Sequence, residues 1–133
     1  MILIVCVDDN MGMAFNHRRQ SMDRAVRARI LARVGGAPLW MTPYSARQFT
    51  EPAAHLNVVE DCQTKAGAGE FCFVETQAVA APERIEKLIL YRWGRTYPAD
   101  LHFSMPEGFF RLAEQCTFEG HSHPELTEEI YTR

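Results

Sequence analysis

The sequence contains no Cys-x-x-Cys pair, no long apolar run, no internal repeat and no low-complexity stretch. Its four cysteines, Cys6, Cys62, Cys72 and Cys116, are widely spaced. That spacing excludes the usual zinc ribbons and dithiol redox motifs. Three of them sit in apolar or alternating contexts (Val5-Cys6-Val7, Phe71-Cys72-Phe73 and Cys116-Thr117-Phe118). They read as reduced, buried thiols in a reducing compartment. Positive charge is not in excess: 14 Lys and Arg stand against 17 Asp and Glu, a net charge of -3. With no interleaving of aromatic and basic residues, a nucleic-acid partner is not expected. Met1 leads straight into Ile-Leu-Ile-Val, which meets Asp8-Asp9 after a few residues. The run has no basic region before it and is too short for a signal-peptide core or a membrane span. The expectation is a cytoplasmic chain without a membrane partner.

What remains is an ordinary globular composition. Hydrophobic residues make up 47% of the 133 and charged residues 23%. A chain of this length buries about two thirds of its unfolded surface and folds without a metal or a disulfide. A single domain spanning 1–133 is expected.

Residues 2–7 read as a strand buried on both faces. A loop comes next, from Asp8 to Asn16, with Asn10 and Gly12 as turn formers. Ser21 offers an N-cap and Asp23 a first-turn carboxylate. The helix they open runs to about Val34 and stops at Gly35-Gly36. Met22, Val26, Ile30 and Val34 form its apolar stripe, widened by Ala25 and Leu31. Leu39–Met41 reads as a strand, Tyr44–Phe49 as a short helix, Leu56–Val59 and Phe71–Glu75 as strands. The segment Lys65–Glu70 must turn. A helical turn is expected after Pro82. Leu88–Trp93 reads as a strand with Leu88, Leu90 and Arg92 on one face and Ile89, Tyr91 and Trp93 on the other, and Leu101–Phe103 as its continuation. Phe110–Phe118 and Leu126–Tyr131 form a closing pair around Gly120. The pattern specifies an α/β fold: a mainly parallel mixed sheet with antiparallel C-terminal strands and flanking helices.

The order of elements and several local motifs resemble dihydrofolate reductase, in a divergent and shortened form. Gly12-Met13 comes after the first strand, as in that family's mobile substrate loop. Asp23 stands near the start of the next helix, where the family carries its catalytic carboxylate. Pro38-Leu39-Trp40-Met41 and then Ser45 resemble the family's strand ending in Met-Gly-Arg and its short helix. Lys87–Trp93, Ala99–Phe103, Phe110-Arg111-Leu112 and Glu129-Ile130-Tyr131-Thr132-Arg133 resemble later motifs in the same order. The resemblance implies the family's fold and a cleft built around Asp23, with Tyr91 in place of its partner threonine.

The cofactor motifs depart from the family together. Where its Gly-Gly lets backbone approach the pyrophosphate, this chain has Glu75-Thr76. Where Gly-Arg meets the adenosine phosphate, it has Thr42-Pro43. The segment from Asn57 to Phe71 is too short for the usual strand and helix. No cofactor is therefore expected, and NADPH in the usual mode is not. The helix face offers Arg24 and Arg27 in place of apolar residues that hold the pterin or benzoyl ring.

The leading expectation is a small-molecule binding protein for a polar or anionic ligand. Asp23 and Tyr91 are the candidate catalytic or anchoring pair. Asn16, Arg18, Arg19, Arg27 and Ser45 are the candidate ligand-binding residues, arginine forks being suited to carboxylate or phosphate. Six of the basic residues lie between Arg18 and Arg33, but they do not share one helix face. A divergent reductase is one alternative. A protein-interaction module with Trp93, Tyr97 and Phe109 in an exposed patch is another, and oligomeric state is left open. His121-Ser-His123 with His17 could form a three-histidine metal site. The pair is not the His-x-His-x-Asp-His run of ribonuclease Z, because it continues Pro-Glu-Leu, and the chain is far shorter than that enzyme's fold requires.

Overall fold

A computed structural model of the chain describes residues 1–51, 55–105 and 108–133. Its centre is β1 (Ile2–Val7), hydrogen-bonded on both sides to parallel neighbours, β6 (Phe71–Phe73) and β7 (Lys87–Arg92). Beyond β6 lie β4 (Leu39–Met41) and β5 (Leu56–Val58), also parallel. Beyond β7 lie β10 (Leu126–Thr132) and β9 (Arg111–Phe118), both antiparallel to their neighbours. The seven-stranded order is β5-β4-β6-β1-β7-β10-β9. This is the expected mixed sheet.

The unbroken apolar character of β1 comes from its place, since it has side chains to bury on two faces. Leu3, Val5 and Val7 join Cys72, Leu88 and Leu90 in one core. Ile4 joins Phe71, Phe73, Ile89 and Tyr91 in the other, under α1 (Arg24–Val34). The expected alternation along β7 holds, with Leu88 and Leu90 on one side and Ile89, Tyr91 and Trp93 on the other. Val26, Ile30 and Val34 fix α1 to the sheet. Each such burial contributes roughly 1.5–3 kcal/mol.

Several boundaries differ from the sequence reading, each for a local reason. Asp23, not Ser21, is the N-cap: its side chain accepts from the Ala25 amide. Met22 therefore lies before the helix and is 51% exposed, outside the apolar stripe. The stretch Asp8–Asn16 is not all loop. It contains β2 (Gly12–Phe15), which pairs with β3 (Arg18–Arg19). Asn16 and His17 between them have φ of 51° and 61°, the left-handed pair a two-residue hairpin turn requires. Leu101–His102, here β8, does not continue β7. It pairs with β2 in a separate three-stranded sheet, order β3-β2-β8. Glu75 lies past the end of β6. Cys116 is exposed, contrary to the buried thiol expected, because β9 is an edge strand whose residues 111–117 are all exposed. Two more short helices, α2 (Pro43–Ala46) and α3 (Cys62–Lys65), fill the connections around β5.

Ile30 is fully buried against the sheet. Ile30→Ala is expected to cost about 2–5 kcal/mol, read from urea unfolding midpoints. A loss below about 1 kcal/mol would show that α1 is not anchored as described.

Candidate functional site at the carboxyl ends of the parallel strands

In open α/β sheets, ligands bind in the crevice outside the carboxyl ends of the strands. Here those ends are Val7-Asp8 of β1, Met41-Thr42 of β4, Phe73-Val74 of β6 and Arg92-Trp93 of β7. The segment Arg19–Asp23 crosses this edge, and most of its side chains are pinned there.

Arg19 is held over the end of β6. Its Nε donates to both Glu75 carboxylate oxygens at 3.2 and 3.0 Å, and its Nη2 donates to the Tyr44 carbonyl at 3.1 Å. The guanidinium also stacks 4.3 Å from the Tyr44 ring centroid. Glu75 is buried and takes a further bond from Gln48 Nε2 at 2.8 Å. Beside this cluster the Ser45 hydroxyl is buried and finds no hydrogen-bond partner among the described residues.

Gln20 is held over the end of β1 by donating to Asp8 Oδ2 at 3.0 Å. Asp8 is buried and also accepts the amides of Asn10, Gly12 and Tyr97. Burial would raise its pKa, but these bonds outweigh that and hold it below the usual carboxylate range. Gly12 must lack a side chain here, because a Cβ would come within 2.7 Å of both Ala99 and the Gln20 amide nitrogen.

Ser21 and Asp23 are held near the end of β7. His123 is buried and stacks on Trp93, ring centroids 4.8 Å apart. Its Nδ1 lies 2.8 Å from Asp23 Oδ2 and its Nε2 lies 2.9 Å from Ser21 Oγ. Asp23 also accepts the amides of His121 and Ser122, at 2.9 and 2.8 Å. Burial favours the neutral acid, but His123 and these amides with that of Ala25 hold Asp23 far below its ordinary value. Gly120 permits the approach: a Cβ there would stand 2.8 Å from Asp23 Oδ2 and 2.7 Å from the His123 carbonyl.

The expected pocket of Asp23, Arg27 and Tyr91 does not form. Arg27 pairs with Glu51 at 3.0 Å. Tyr91 is buried and donates to Glu128 at 2.7 Å. Glu128 also pairs with Arg29 and Arg33, at 3.2 and 2.8 Å. Burial would raise the Glu128 pKa, but hydrogen bonds from Arg33, Arg29 and Tyr91 bring it to about 2. Burial and the Glu128 bond push the Tyr91 hydroxyl well up. Tyr91 thus ties the sheet to α1 through a buried carboxylate. Of the other candidates, Arg19 lies at the strand ends, bonded to the carbonyl of Tyr44, the residue before Ser45. Asn16 and Arg18 are exposed on the hairpin, with the Asn16 amide on Asp100.

The histidines do not assemble. His123 is engaged with Asp23 and His121 is exposed. His17 lines a separate groove of about 310 Å³ with Ala14, Thr76, Asp100 and Leu101. Among the described residues no group of three His, Cys, Asp or Glu side chains is placed to hold a metal. Of the expected aromatic patch, Trp93 is buried and Tyr97 half-buried, while Phe109 is exposed with the Arg133 guanidinium over its ring. Gln20, Gln48 and His123 carry no mark in the sequence as partners of these acids. Nothing local singles out a glutamine as the donor to a carboxylate distant in the chain.

Asp23 and Glu128 both have folded pKa values below their unfolded values. Their stabilising contribution is complete above about pH 5. It is lost as pH falls from there toward about pH 2. Asp23→Asn is expected to cost about 1–3 kcal/mol at pH 7 and to flatten the acid limb of stability, measured by urea unfolding across a pH series. An unchanged acid limb would contradict the assignment.

No family model matches the sequence, and no curated protein matches it. The fold does have matches: 213 solved chains resemble it. One is dihydrofolate reductase from Enterococcus faecalis, complexed with NADP(H) and RAB-propyl. The TM-score is 0.68 over 99% of this chain and 95% of that one, at 9% sequence identity. Among the described residues no helix is long and apolar enough to cross a membrane. The chain has a dihydrofolate-reductase-like fold, with the carboxyl edge of its parallel strands crossed by a pinned segment.

Proposed function

We propose that this protein binds a small polar molecule at the carboxyl edge of the sheet and lacks ordinary NADPH-dependent reductase activity. The observation that carries this reading is the cluster at the end of β6 in which half-buried Arg19 and buried Gln48 both bond the buried Glu75 carboxylate. A dinucleotide pyrophosphate needs exposed amides and positive charge. At this place the chain has a carboxylate whose cationic partner is already engaged. Displacing Arg19 toward a phosphate would leave Glu75 buried with one hydrogen bond, a cost of several kcal/mol.

Two features favour a polar ligand. The unpartnered Ser45 hydroxyl would be satisfied by an acceptor brought into the cluster. The adjoining groove offers Thr76, His17 and Asp100 as polar contacts around an apolar floor of Ala14 and Leu101. Its volume of about 310 Å³ lies at the lower end of the range for small-molecule pockets. Arg18, exposed and next in sequence to the groove's His17, would favour a ligand with a negative group if its side chain turned that way.

Titration with NADPH, followed by the fluorescence of Trp40 and Trp93, is expected to show no saturable change at micromolar concentrations. Saturable micromolar binding, with loss of NADPH absorbance on adding dihydrofolate, would overturn the reading in favour of a divergent reductase. A thermal-shift screen of small carboxylates, phosphates and polyols is expected to give hits that Thr76→Trp abolishes by filling the groove. Hits unaffected by that substitution would place binding elsewhere.

A further inference from the structure

The Ser21–His123–Asp23 constellation lies at the β7 end of the crevice, away from the Arg19–Glu75 cluster and outside the lining of the groove beside Thr76. The Asp23 carboxylate is ionised and acceptor-only, so His123 Nδ1 must carry the proton that lies between them. In the neutral imidazole the lone pair then lies on Nε2, 2.9 Å from Ser21 Oγ, which is placed to donate to it. Both distances fall inside the range that base and nucleophile need. The ring cannot rotate away, because it is stacked on Trp93 and buried. Tyr97 Oη lies 3.4 Å from the same Nε2. It is the weaker of two hydroxyls sharing that lone pair.

Capping α1 needs only Asp23 and the Ala25 amide. It does not need an imidazole held between that carboxylate and a partly exposed serine. We propose that Ser21 is a nucleophile activated by His123 and oriented through Asp23, acting on small carboxylic esters. In the first step Ser21 Oγ bonds to the ester carbonyl carbon while its proton passes to His123 Nε2. The carbon–alkoxy bond then breaks, and His123 returns the proton to the departing alkoxide. Water next attacks the acyl-serine, giving its proton to His123. The bond between the acyl carbon and Ser21 Oγ then breaks as His123 returns that proton to Oγ, which releases the carboxylic acid and restores the hydroxyl. The amides of Arg24 and Val26, in the first turn of α1, have no partner among the described residues. First-turn amides point back along the helix axis toward the chain that precedes it. They are the donors available to a developing oxyanion. An ester, whose alkoxide leaves more readily than an amine, suits a site with this modest provision.

The test uses the full chain and an alkyl fluorophosphonate probe, which forms a serine–phosphorus bond and releases fluoride. Intact mass and peptide mapping are expected to show one adduct, on Ser21. Ser21→Ala removes only a partly exposed hydroxyl, so it should fold as the parent does and remain unlabelled. His123→Gln should slow labelling about 100-fold or more, as loss of a general base does. Para-nitrophenyl acetate should give a burst of nitrophenolate equal to the protein concentration. The proposal fails if no adduct forms. It also fails if labelling persists in Ser21→Ala, or if it spreads equally to the exposed Ser104 and Ser122. If His123→Gln does not fold, the Ser21→Ala comparison and the burst decide alone.

Discussion

The arrangement depends on the set of buried carboxylates that receive the segment Arg19–Asp23. Glu75 holds Arg19, Asp8 holds Gln20, and Asp23 turns back to hold the loop 120–123. A buried carboxylate without partners is costly, so each of these acids demands donors from elsewhere in the chain. Some are neighbouring amides, but Arg19, Tyr97 and His123 come from far away in sequence. The demand is what draws the segment across the strand ends and fixes the start of α1.

The same logic sets the chemistry of the edge. A scaffold of parallel strands delivers backbone ends to one crevice whatever the side chains are. The chemistry of the crevice is set by the residues just past the end of each strand. After β6 this chain places a buried acid, and after β1 another. Once Arg19 and Gln20 have satisfied them, the middle of the crevice is a structural tie. Among the described residues the buried polar atoms left without a partner are Ser45 Oγ and Gln20 Oε1, and Thr76, His17 and Asp100 line the groove at the margin.

Tyr91 and Arg27 show how a resemblance can place residues correctly along the chain and wrongly in space. Tyr91 occupies the expected strand and face, yet its hydroxyl meets Glu128. Glu128 lies on an antiparallel strand paired with β7, directly opposite Tyr91. Arg27 sits on the expected helix, but Glu51 takes its guanidinium. The hairpin β2–β3 escapes a reading of the sequence for a different reason. Asn16-His17 is a less familiar turn pair than Asn-Gly, so its left-handed geometry leaves only a faint trace.

The sequence by itself determined the layered α/β architecture. Strand alternation, the apolar stripe of α1 and the stop at Gly35 are local patterns whose period is set by backbone geometry. Only the tertiary structure decided which acid meets which donor. Hydrogen bonds such as Arg19–Glu75 and Asp23–His123 join residues 56 and 100 positions apart. No local rule of the chain encodes a contact at that separation. It exists only once both cores have packed and brought the strand ends together.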